Sequence, residues 1–136
     1  MTIFTIGHSN KSVEELVEKL KEWSIDLLVD VRTTPYSKYT PQFNREPLRK
    51  SMEEAGLRYS YRGRNLGGLG QNIDYDKTIN ELVGYSAEGR KVCVMCSEAD
   101  PNKCHRKSMI QPDLEKQGVE VHHWLCARLP TPDCPL

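Results

Sequence analysis

Two hydrophobic periodicities alternate along this chain. Ile3-Phe4-Thr5-Ile6 is a short apolar run closed by Gly7-His8-Ser9-Asn10, and it reads as a strand. Ser12 and Glu15 then make an S-x-x-E capping box, with Val13, Leu16, Val17 and Leu20 following at helical spacing. Ile25 to Val31 is nearly continuous apolar sequence, broken by Asp26 and Asp30, which suits a strand covered on both faces. An irregular stretch with Pro35, Pro41 and Pro47 comes next. Pro47 is expected to open a helix at its first position, with Leu48, Met52 and Ala55 inward and Gly56 ending it. Leu57 to Tyr61 alternates as a third strand, and Leu66-Gly67-Gly68-Leu69-Gly70 must be a turn or a loop of close backbone approach. Tyr75, Ile79, Leu82 and Val83 mark a helix stopped near Gly89, and Lys91 to Cys96 is a buried strand. A helix is expected over 104–117, interrupted or restarted at Pro112, followed by a last strand over 119–124 and an irregular, Pro-rich tail over 126–136.

The order β-α-β-α-β-α-β-α-β predicts one α/β domain over 1–136, a three-layer fold with a mostly parallel sheet of about five strands flanked by helices. In such folds ligands gather beyond the carboxyl ends of the strands. The unusual residues of this chain fall at those ends.

Composition narrows the picture without changing it. With 136 residues, 38% of them apolar, the chain can build one modest core. No apolar run approaches the roughly 18 residues of a membrane span, and the N-terminal segment lacks the charged head and apolar stretch of a signal peptide. A cytoplasmic protein is expected, with no obvious motif for a protein partner. The five Cys are at 93, 96, 104, 126 and 134, an odd number confined to the last third, so reduced thiols are expected rather than a disulfide framework.

Formal charge is zero, but it is unevenly spread. From Arg32 to Arg64 there are eight Lys/Arg against three Glu, so this segment is +5 and the remainder −5. It also holds Tyr36, Tyr39, Phe43, Tyr59 and Tyr61, half of the ten aromatics. Interleaved cations and aromatics (Tyr36, Lys38, Tyr39, Arg45, Arg49, Arg62 and Arg64) suit a surface that tracks phosphates and stacks bases of a single-stranded nucleic acid. The competing reading is a solvated loop whose tyrosines pack on helix edges.

Three constellations carry chemistry. Gly7-His8-Ser9 sits between the first strand and a helix N-terminus, where backbone N–H groups hold anions and His8 adds a proton or charge; the plain alternative is a capped turn. Asp30 and Arg32 share a face of the second strand, either as a structural pair or with Arg32 reaching a phosphate. Cys96-Ser97-Glu98 leaves a strand and Cys104-His105-Arg106 opens the next helix. A Cys at a helix start with basic neighbours has thiolate character, so Cys104 is the candidate nucleophile and Cys96 an assisting or resolving thiol. Arg106 would hold an anion, while Glu98 or His105 would move protons. Cys93-x-x-Cys96 with Cys104-His105 also supplies zinc-ligand types. Positions 93 and 96, however, fall on opposite faces of a strand with no turn between them, so no cofactor is expected and structural zinc is the weaker reading.

Taken together, Thr5-Ile6-Gly7-His8-Ser9, Asp30-Val31-Arg32 with Pro35 and Ser37, Pro41-x-Phe43, Leu66-Gly67-Gly68, and Cys96-x-Glu98 followed by Cys104-His105-Arg106 resemble the domain of unknown function 488 family. The resemblance runs in order from about residue 3 to 124. It implies a compact cytoplasmic α/β protein with these motifs as its functional surface, and implies little about the reaction. Pro112 departs from an uninterrupted last helix. A looser similarity to rhodanese and cysteine phosphatase sites lacks their C-x5-R run, since position 102 is Asn.

The resulting expectation is an enzyme of thiol-dependent chemistry. His8, Ser9, Asp30, Arg32, Gly67, Gly68, Cys96, Glu98, Cys104, His105 and Arg106 would form an anion-holding site for a phosphate-bearing small molecule or single-stranded nucleic acid. Two alternatives stand beside it: a non-catalytic nucleotide or nucleic-acid binding module, and a thiol redox sensor using a reversible Cys96–Cys104 disulfide.

Overall fold

The computed structural model describes residues 2–8, 12–32, 35, 36, 38, 41–66, 72–96 and 110–123. Their strands are β1 (Thr2–Gly7), β2 (Leu27–Asp30), β3 (Arg58–Tyr61), β4 (Val92–Cys96) and β5 (Glu120–His123). The helices are α1 (Val13–Glu22), α2 (Arg45–Glu54), α3 (Gly63–Leu66), α4 (Tyr75–Ala87) and α5 (Gln111–Glu115), with a 3-10 turn at Pro41–Phe43. One sheet runs in the order β3-β2-β4-β1-β5, and every pairing in it is parallel. The expected three-layer α/β architecture is the one observed.

The continuous apolar strands are the central ones. All four residues of β2 and all five of β4 are buried, because each is covered on both sides. On one face Leu16 and Leu20 of α1, Leu48 and Met52 of α2 and Phe43 pack on Ile6, Leu28, Cys93 and Met95. On the other, Leu66, Ile79 and Leu82 of α3 and α4, with Leu114 of α5, pack on Ile3, Leu27, Val29, Val92, Val94 and Cys96. The chain therefore leaves β1 and β2 toward one face and β4 toward the other. Since β4 lies between β1 and β2, the carboxyl ends of these three strands form the topological switch point of the sheet.

Local sequence explains most boundaries. Ser12 caps α1, its Oγ accepting the Glu15 N–H at 3.1 Å while the hydroxyl donates to Glu15 Oε1 at 3.4 Å. Gly56 follows α2 at φ +80°, a left-handed backbone that glycine adopts without strain. The strands end within two residues of the expected bounds, and one helix start moves: α2 begins at Arg45, not Pro47. The first four helical N–H groups have no intrahelical acceptor, so a proline third in the helix loses nothing and does not mark the start. The single turn of α3 carries too few residues to show a helical period. Ser9, Tyr39, Gly67, Gly68, Glu98, Cys104, His105, Arg106 and the 126–136 tail lie outside the described residues.

Candidate active site at the carboxyl edge

Asp30 and Arg32 share a strand face at the end of β2, and the structure closes them into a pair. Arg32 Nε donates to Asp30 Oδ1 at 2.9 Å and Nη2 to Oδ2 at 2.7 Å. The Arg32 backbone N–H adds a third bond to Oδ1 at 3.1 Å. Asp30 is fully buried and Arg32 is 8% exposed. Tyr59 completes the carboxylate's shell, its hydroxyl donating to Oδ2 at 2.5 Å. Tyr59 reaches Asp30 because β3 pairs in parallel with β2 in a register that sets Leu28 against Tyr59, placing the phenol on the Asp30 face.

Burial alone pulls the Arg32 guanidinium down, but the hydrogen bonds and charge of Asp30 outweigh it and set its pKa above the ordinary value. The Tyr59 phenol is pushed well above its ordinary value, first by burial and then by the Asp30 charge beside it. Both groups are thus locked in the forms they hold at neutral pH: guanidinium and neutral phenol.

The remaining arm of Arg32 passes over the end of β4 toward β1, where Nη1 lies 3.3 Å from His8 Nε2. An arginine nitrogen only donates, so Nε2 accepts and the ring proton sits on Nδ1. His8 is 4% exposed and stacks on Phe43 at 4.5 Å between ring centroids, 25° apart in plane. Phe43 is held by the 3-10 turn, in which the Asn44 N–H donates to the Pro41 carbonyl at 3.1 Å. Backbone bonds tie the three strand ends together: His8 N–H to Cys96 O and Val31 N–H to Met95 O, both 3.0 Å. A phenol, a carboxylate, a guanidinium and an imidazole thus run in series across the switch point.

The structure divides the other sequence candidates. Cys96 ends β4 beside His8 through its backbone, but its side chain packs in the cluster under α4 and α5, on the opposite face from the His8–Arg32 contact. Cys93 is core, and Cys93 and Cys96 are both buried. No group of three or more His, Cys, Asp or Glu able to hold a metal occurs among the described residues.

The basic 32–64 segment is not one surface. Arg49 is engaged within α2 by Glu46 and Glu53 at 3.0 and 2.7 Å. Arg62 lies 3.7 Å from Glu81 of α4. Arg58 lines an open cleft at the amino edge of the sheet with Ile25, Asp26, Leu27, Gly56 and Arg90. Arg45, by contrast, lies over the Tyr61 ring at 4.5 Å at the carboxyl end of β3, and Arg64 is near enough to act electrostatically on the Tyr61 hydroxyl. Tyr36 is 60% exposed, and Lys38 is also exposed.

Three features of the site carry no local signal in the sequence. Tyr59 as a ligand of Asp30 and Phe43 as the support of His8 require strand register and a turn geometry that no local period encodes. The third is a chain through His123. Thr5 donates to His123 Nδ1, and His123 Nε2 donates to Gln111 Oε1 at 2.7 Å, linking β1, β5 and α5.

The family model described as Domain of unknown function DUF488 matches residues 12–76, which supports the family assignment suggested by the motifs. That span includes Asp30, Arg32, Phe43, Arg45, Tyr59, Tyr61 and Arg64. No curated protein matches the chain.

Proposed function

We propose that this protein is an enzyme that receives a phosphate-bearing substrate, a nucleotide or nucleic acid, at the carboxyl edge of its sheet. One observation carries the reading: the Tyr59–Asp30–Arg32–His8 series, buried at all but the half-buried Tyr59, crosses the switch point, where open α/β sheets bind ligands. A buried ion pair is a poor device for stability alone, because desolvation offsets most of its Coulombic gain. Its presence here fits a role in fixing the His8 ring and the strand-end loops. In this reading Arg32 is a positioning residue, since its fork is committed to Asp30. Sequence adds the reactive groups. Cys104 is the nucleophile, Glu98 or His105 transfers protons and Arg106 holds the anion, all on the segment that continues from Cys96.

The test is turnover. Phosphorus NMR follows a panel of nucleoside phosphates and short single strands incubated with the wild-type protein, Cys104→Ser and His8→Gln. Consumption of at least one member by wild type, lost in Cys104→Ser and reduced in His8→Gln, supports the reading. Binding without turnover of any member overturns it in favour of a non-catalytic binding module. That second reading has its own support, because every hydrogen-bonding atom of the Asp30 carboxylate is already occupied within the protein.

A further inference from the structure

The two edges of the sheet carry cations for different reasons. At the amino edge, Arg58 and Arg90 border an open cleft of ≈ 360 Å³. They follow closely on the C-terminal ends of α2 and α4, where the helix dipoles present partial negative charge. Their positive charge is locally compensated by the fold itself.

At the carboxyl edge Arg45 lacks such compensation among the described residues. Arg45 is the first residue of α2, the end at which the dipole disfavours a cation. It is not shielded by a carboxylate: no ion pair of Arg45 or Arg64 occurs among the described residues. Instead the Arg45 guanidinium lies over the Tyr61 ring, and exposed Arg64, three residues after Tyr61, acts electrostatically on its hydroxyl. The backbone is shaped to this arrangement. Gly63 sits so close to the Arg32 carbonyl and the Tyr61 ring that a Cβ there would collide with both. Tyr36, 60% exposed, stands next to Pro35, whose carbonyl accepts the Arg45 N–H at 3.0 Å. Two arginines without an ion pair among the described residues, one of them over the Tyr61 ring, and an exposed aromatic therefore stand on segments that converge near the Asp30–Arg32 pair.

We infer that Tyr36, Arg45, Tyr61 and Arg64 form a nucleoside-phosphate subsite on the rim of the carboxyl edge. Arg45 and Arg64 take the phosphate. Tyr61 holds the Arg45 plane, and Tyr36 offers a face to the base. The inference rests on the reading that this edge receives a phosphate-bearing substrate, and it adds two rim arginines to the Arg106 assigned there to the anion, Arg32 being committed to Asp30. The same chemistry is present in a free nucleotide and in a single strand, so the test includes both.

Amide chemical shifts of the labelled protein are followed during titration with inorganic phosphate, adenosine monophosphate and a short single-stranded oligonucleotide. Wild type is compared with Arg45→Ala, Arg64→Ala, Tyr36→Ala and, as control, Arg49→Ala. The expected result is shifts at residues 30–36, 45 and 61–64, with affinity for the monophosphate falling at least about tenfold in each arginine variant. Tyr36→Ala weakens the nucleotide but not inorganic phosphate, and Arg49→Ala stays within about twofold of wild type. Tighter binding of the oligonucleotide, with a salt slope reduced by about 1 in each arginine variant, assigns the subsite to a strand; equal affinities assign it to the free nucleotide. Shifts at the carboxyl edge that persist unweakened in Arg45→Ala and Arg64→Ala overturn the subsite and spare the reading of the edge. Shifts confined to Arg58 and Arg90, or none at all, overturn both.

Discussion

Asp30→Ala tests the interior of the site quantitatively. The substitution removes a fully buried carboxylate that accepts four hydrogen bonds, and leaves Arg32, 8% exposed, without its counter-charge. Stranding one member of a buried pair costs about 3–5 kcal/mol. Against a total stability of about 5–15 kcal/mol, that is a third or more of the folding free energy in most of the range. For a domain of this size the melting temperature falls by about 10–20 °C. Urea denaturation checks it, with a lower midpoint and an unchanged slope if the native state stays compact. Replacing both partners at once, Asp30→Leu with Arg32→Met, removes the stranded charge and recovers most of the loss, since apolar replacements of a buried pair are often neutral or better. A loss below about 1 kcal/mol for Asp30→Ala is the level of an exposed pair. It would refute the buried brace and free Arg32 to bind anions directly.

Three further outcomes follow from the same geometry. Gly63→Ala forces a Cβ onto the Arg32 carbonyl and the Tyr61 ring, and is expected to lower stability by about 1–3 kcal/mol, read from the urea midpoint. Phe43→Ala removes a fully buried ring and the support of His8; a loss of about 3–5 kcal/mol is expected, together with a changed His8 ring shift in proton NMR. Tyr59, whose pKa is raised in the fold by burial and by Asp30, stabilises the protein fully below the unfolded value of about 10 and loses that contribution as pH rises beyond it. The urea midpoint should therefore drop from about pH 10 upward, and Tyr59→Phe should flatten that drop; an unchanged alkaline limb would contradict the assignment.

The elements were legible wherever hydrophobic period and end signals agreed. Val13, Leu16, Val17 and Leu20 behind the Ser12 cap gave α1, and the unbroken apolar runs around Leu28 and Val94 gave the two central strands. Asp30 and Arg32 were legible as a pair because residues two apart on a strand share a face. What joins them to their neighbours was not. Tyr59 and His8 lie 29 and 24 residues from their partners, and their meeting depends on strand order, which the sequence pattern leaves open. The basic segment shows the converse difficulty. Charge counted along the chain merged Arg58 at one edge, Arg49 tied within its helix and Arg45 at the other edge, which the fold separates.

The most direct test of a thiol-bearing, anion-holding carboxyl edge is alkylation mapped by peptide mass spectrometry at neutral pH, with and without a saturating nucleoside monophosphate. Cys104 is expected to react faster than a thiol of ordinary pKa, about 8.5, and to be slowed by the nucleotide, while fully buried Cys93 stays unmodified in the folded protein. A Cys104 that reacts no faster than an ordinary thiol, at a rate the nucleotide leaves unchanged, would contradict such an edge.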